Sequence, residues 1–314
     1  MQQNKDINKW YIRSFVGASG WLSSLFFIIF FFLLFNDVLA RNSIALGVIG
    51  LLLIVSSYHI FKSQDGDFIE QFALSNIFTG EALLSWVIVD NMHIFIVSVM
   101  FAILMWLVPN YIHRVMASFG MGISLFISVK NIFYVDGFIG LFGAVVLLLL
   151  LYKDKFEDKE KVEAIIYGML GAFIFINYAD WFMHQYAIKH YMVIEGTLGV
   201  VLAFAIWKIL SSYDLLGNAK VVVLSTIGVL LSVALSFWVH NLMIPIVILI
   251  ISFWQQDRKL IYLSILLGLF SLSRYYYFMG DTLLDKSKIL LLSSICFAIA
   301  YGTIKALFKK DIHV

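Results

Sequence analysis

Apolar runs long enough to cross a lipid bilayer recur along almost the whole chain, and they constrain it more than any other feature. A helix rises ~1.5 Å per residue, so ~20 apolar residues span the hydrocarbon core. Twelve runs can be marked: Ser19–Phe35, Asn42–Phe61, Phe68–Val89, His93–Val108, His113–Tyr134, Asp136–Tyr152, Lys161–Phe182, Tyr191–Ser211, Lys220–Val239, Leu242–Trp254, Leu260–Phe278 and Ser287–Phe308. Backbone polar groups in hydrocarbon must be satisfied within the segment, so each run is expected as a helix. The longest polar connection, Lys153 to Glu160, is too short for a soluble domain. The expectation is an all-α, polytopic transmembrane helix bundle of about 12 spans. It forms one integral-membrane domain over 1–314, with a short cytoplasmic N-terminal segment, 1–18. The run 242–254 is the shortest, and a full span or a re-entrant segment both remain open there.

Composition supports the lipid-facing reading. Charged residues are 13% of the chain and hydrophobic ones 62%, whereas a soluble domain carries about 25% charged residues. A net charge of +2 gives no reason to expect nucleic acid as a partner. The single cysteine, Cys296, excludes an intrachain disulfide and a thiolate metal cluster. Both prolines, Pro109 and Pro245, fall near run ends, so no helix broken at mid-membrane is expected. Lys5, Lys9 and Arg13 precede the first run as in a signal peptide. That run is long for such a segment and Val38-Leu39-Ala40 is a poor cleavage site, so a retained helix is expected.

Basic residues set the orientation. With both termini cytoplasmic, 16 of the 22 Lys and Arg residues fall inside and 6 outside. Glycines recur at i,i+3, as in Gly17/Gly20, Gly47/Gly50 and Gly168/Gly171, a spacing that lets helix backbones approach in a membrane.

No HExxH, GxSxG or GxxxxGK[ST] motif occurs, so the candidates for chemistry are ionisable groups placed inside spans. Glu81 is the deepest carboxylate. Glu70 lies eleven residues earlier, about three turns, on the same helical face. A carboxylate there can hold a proton or cation, or form a structural ion pair. Arg274 is the first candidate partner for Glu81 and Lys130 the second; either can instead snorkel to the interface. A second group gathers at the outer ends of the spans: Asp90, His93, Asp136, Asp180, His184, Glu195, His240, Asp281 and Asp285. Asp180 and His184 have the one-turn spacing of a metal or proton-relay pair. Wetted, capped helix ends explain the same residues. Around Asp281 and Asp285, Gly280 can end one helix while Thr282 caps the next. Neither a cofactor nor a metal is specified.

Three segments carry a resemblance. Tyr275-Tyr276-Tyr277 followed by Thr282-Leu283-Leu284-Asp285-Lys286-Ser287, then Gly20-Trp21-Leu22-Ser23-Ser24-Leu25-Phe26, and Gly80-Glu81-Ala82-Leu83-Leu84 resemble a bacterial membrane family filed as domain of unknown function 4401. The resemblance implies a multi-pass protein of the bacterial inner membrane. It implies no substrate, cofactor or catalytic residue. Three function classes stay open. One is transport or ion conduction, with an unspecified ion or small molecule. Another is a structural, sensory or assembly role beside another membrane protein. The third is a membrane-embedded enzyme acting on a lipid-linked substrate.

Overall fold

The computed structural model describes residues 10–39, 42–63, 66–91, 93–129, 135–179 and 191–278, with 284, 287, 288 and 291. Among these residues the chain is all-helical, with eleven α-helices and no strand. They are α1 (Trp10–Leu39), α2 (Ser43–Ser63), α3 (Asp67–Asn91), α4 (Ile94–Leu107), α5 (Tyr111–Val129), α6 (Val135–Leu151), α7 (Lys159–Ala179), α8 (Tyr191–Ser212), α9 (Ala219–Trp238), α10 (Met243–Trp254) and α11 (Arg258–Phe278). Each corresponds to one apolar run, in order. The twelfth run lies almost entirely outside the described residues.

Among the described residues seven helices (α2, α3, α5, α7, α8, α9 and α11) are long and apolar enough to cross a membrane. Helices α4, α6 and α10 are apolar but shorter, at 14, 17 and 12 residues. Most ends fall within three residues of the expected boundary. The exceptions are α1, which starts nine residues before Ser19 and ends four after Phe35, and α5, whose described helix ends at Val129, five residues before Tyr134. Polar side chains close the entries: His93 Nδ1 accepts from the Phe95 amide at the start of α4, and Asn218 Oδ1 from the Lys220 amide at α9.

The chain divides into two compact units, Met1–Ala205 and Ile206–Val314, with the division inside α8. In the first unit α3 is the hub, packing against α1, α2 and α4, while α5 packs on α4 and α7. Glycine permits the closest of these contacts. A Cβ on Gly80 would lie 2.6 Å from the Gly50 carbonyl oxygen, and one on Gly50 would lie 2.9 Å from the Gly80 oxygen. The α2 and α3 backbones therefore touch, an approach that only residues without a larger side chain allow. Gly20 does the same for α1 on α3, since its Cβ would lie 2.9 Å from the Phe68 oxygen.

In the second unit α10 packs on α11 and buries Met243, Ile244, Val247, Ile248 and Ile251 completely. The turn before it uses Asn241 in the left-handed region, at φ 65°. Asparagine tolerates that conformation better than other non-glycine residues.

Candidate functional site

Helix α3 is the least apolar of the early helices, and its polar residues find partners on both flanks. Asn110, buried at the turn into α5, caps that helix: its Oδ1 accepts from the His113 amide at 2.9 Å. Its Nδ2 donates to Glu70 Oε1 at 2.7 Å. One turn further along α5, His113 Nε2 lies 2.6 Å from Glu81 Oε1. The exposures of the two side chains are 0% and 5%. Two carboxylates three turns apart on α3 are thus matched by two residues one turn apart on α5.

The other flank of α3 meets α1. Trp21 Nε1 donates to Gln71 Oε1 at 3.1 Å, and Ser24 Oγ donates to Asn76 Oδ1 at 2.8 Å with both residues buried. An aromatic stack joins the flanks. The His113 ring lies nearly parallel to Phe78, with centroids 6.1 Å apart, and Phe78 meets Trp21 at 5.9 Å. Gly80, beside Glu81, is the residue at which α2 touches α3. The carboxylate is therefore enclosed by close backbone packing as well as by its partner.

The chemistry of the pair follows from its contact. An isolated buried carboxylate is strongly unfavourable. The pair is neutral as imidazolium with carboxylate, or as imidazole with carboxylic acid. It carries a single negative charge as neutral imidazole donating to carboxylate. One proton separates these states. The other ring nitrogen, His113 Nδ1, is buried and has no hydrogen-bonding partner among the described residues. An unpartnered buried polar atom is rare enough to require a reason.

The sequence candidates fall as follows. Glu81 is buried, and its hydrogen-bonding partner among the described residues is His113. Arg274 is half-buried on α11 in the second unit, and Lys130 lies outside the described residues. Glu70 is exposed and bonds to Asn110. In the outer group, Asp90 and His93 are exposed at the end of α3 and the entry to α4. Asp136 is buried in the first turn of α6, and Glu195 is buried on α8. His240 occupies the α9–α10 turn, where desolvation first and the neighbouring Arg274 guanidinium second hold it below the ordinary histidine range. Asp180, His184, Asp281 and Asp285 lie outside the described residues. Among the described residues no three His, Cys, Asp or Glu side chains form a group that could hold a metal ion.

Sequence reasoning missed His113, Asn110, Asn76 and Gln71. A signal was present. Pro109-Asn110 reads as a turn with a cap residue, which places His113 in the first turn of the next helix, where its ring can face a neighbour.

The family model described as Domain of unknown function (DUF4401) matches residues 9–307. The chain belongs to this family. It matches no curated protein and no solved structure. Two of the three segments that carry the family resemblance supply the site. Gly20, Trp21 and Ser24 come from α1, and Gly80 and Glu81 from α3.

Proposed function

We propose that the chain is a multi-pass protein of the bacterial inner membrane, with twelve spans and both termini cytoplasmic, and that its function is ion-linked through proton exchange at Glu81 and His113. The observation that carries this reading is the 2.6 Å contact between a buried carboxylate and a buried imidazole whose second nitrogen has no partner among the described residues. Intramembrane acid and histidine groups recur in proton relays, and histidine changes charge near neutral pH more readily than other side chains. The orphan Nδ1 is where a second proton, or a transported polar group, would be received.

Helix lengths support the depth of the site. Helix α4 has 14 residues and rises only ~21 Å, short of the ~30 Å hydrocarbon thickness. The turn from Val108 to Asn110 would then lie within the membrane. Val108 and Asn110 in this turn are buried, and the exposed residue between them, Pro109, has no N–H to satisfy.

The test is infrared difference spectroscopy on protein reconstituted in lipid, titrated between about pH 5 and about pH 9. A carboxyl band that appears with protonation should vanish in Glu81→Gln and shift in His113→Gln. If no band change traces to Glu81, the proton-exchange reading is wrong. That outcome would favour a structural or assembly role, a reading the near-complete enclosure of the pair by α2, α3 and α5 also supports.

A further inference from the structure

In the second unit a cavity of about 850 Å³ opens where the end of α8, α9, α10 and the start of α11 approach one another. Its walls are apolar, among them Ile209 and Leu210 of α8 and Leu249 and Phe253 of α10. One end is polar and holds Tyr213 and Arg258. The chain turns tightly at that end, with Asp214 at φ 54° and Gln256 at φ 58°, so the polar rim sits at the helix termini and the apolar walls run along the helices. The Arg258 guanidinium has no ion-pair partner among the described residues. Nearby, Lys208 places its ammonium 5.2 Å from the Trp254 ring centroid, which adds a second positive charge to this end of the unit.

We propose that this cavity is a binding site for one anionic phospholipid, with the headgroup phosphate on Arg258 and an acyl chain along the walls from α8 and α10. The volume lies in the range of roughly 300–1,000 Å³ typical of small-molecule sites. Three features favour a lipid over a purely polar or purely apolar ligand. The charge is confined to one end. The remainder of the lining is hydrocarbon. The polar end coincides with helix termini, where headgroups reside. Guanidinium is the group best suited to a phosphate, since it donates in a planar fork. Arg258 and Lys208 bring two positive charges to this end, beside the turn carboxylates Asp214 and Asp257, and a basic residue at a membrane surface attracts anionic lipid by about 1 kcal/mol, or roughly fivefold.

The proposal rests on the membrane placement above. Alkaline carbonate extraction of membranes reads that placement separately, so a failure of the one is distinguishable from a failure of the other. The full chain is purified in detergent and its melting followed with added phosphatidylglycerol, phosphatidylcholine or glycerol phosphate. Phosphatidylglycerol should stabilise the wild type at a severalfold lower concentration than phosphatidylcholine, and glycerol phosphate should have no effect. Arg258→Gln should bring the two lipids to parity, whereas Arg258→Lys should retain most of the preference. Ser225→Trp, which fills the cavity from α9, should weaken the response to both lipids. Equal response of the wild type to the two lipids would overturn the proposal. So would a full preference retained in Arg258→Gln, or stabilisation by glycerol phosphate alone.

Discussion

Helix α7 buries 50% of its membrane-length window inside the protein, whereas α9 buries 6%. The same difference separates the surroundings of α3 from those of α9. At α3, glycines bring backbones together, and the sides facing α1 and the start of α5 carry hydrogen-bonding side chains with partners. At α9, Val223, Leu230 and Leu231 are more than half exposed, Gly228 meets nothing within 4 Å, and the neighbouring space is a cavity. The two helices have similar lengths and both qualify as spans. What differs is where polarity and small residues fall. A membrane helix gains little by burying leucine against leucine, since lipid tails are equally apolar. Close packing therefore follows glycines and polar pairs, and an apolar helix without them, such as α9, stays largely exposed.

This comparison can be broken at several points. The largest effect is expected at Glu81. Glu81→Ala leaves His113 buried without its partner and should cost about 3–5 kcal/mol, measured by denaturation in detergent. Glu81→Gln keeps a hydrogen bond and should cost clearly less. Equal stability of Glu81→Ala and wild type would show that the pair holds nothing together.

Gly80→Leu should come next, at about 1–3 kcal/mol, because any Cβ there meets the α2 backbone and the neighbour cannot yield. Its counterpart is Gly228→Ala on α9, which has open space and should be neutral or stabilising by up to ~1 kcal/mol through helix propensity. If both glycine changes have the same sign, packing density does not distinguish the two regions.

Asn110→Ala removes the cap of α5 and the link to Glu70, and should cost about 1–2 kcal/mol. Leu231→Ala on α9 should change stability by less than about 0.5 kcal/mol. The smallest effect is a pH dependence at His240. Its folded value lies below the ordinary one, so the unfolded chain binds the proton more readily. Stability from this group should be present above about pH 6.5 and decline as pH falls through that region. His240→Asn should flatten the decline slightly, and an unchanged profile would remove His240 as its source.

Element existence and order were readable from hydropathy alone, since apolar runs of span length leave few alternatives to helices. The glycine spacing was legible as packing, and it is Gly50, Gly80 and Gly20 that seat α2 and α1 on α3. Glu81 stood out because a carboxylate in an apolar run is costly. Its partner did not. The ends of α5 were placed by hydropathy, which made His113 look like a boundary residue at the water interface. The short α4 instead brings that boundary level with Glu81. Depth along a helix can be counted from sequence, but which helices are neighbours cannot, and Arg274 was matched to Glu81 on depth alone.

The most direct test of a coupled Glu81–His113 unit is a double-mutant cycle on reconstituted or detergent-solubilised protein, using Glu81→Ala, His113→Ala and both together. Contacting residues in one network couple by about 0.5–3 kcal/mol, and a buried charge-assisted pair should fall in the upper half of that range. The double variant should therefore lose much less stability than the two single losses added together. Losses that simply add would contradict the pairing on which the site between α3 and the start of α5 is built.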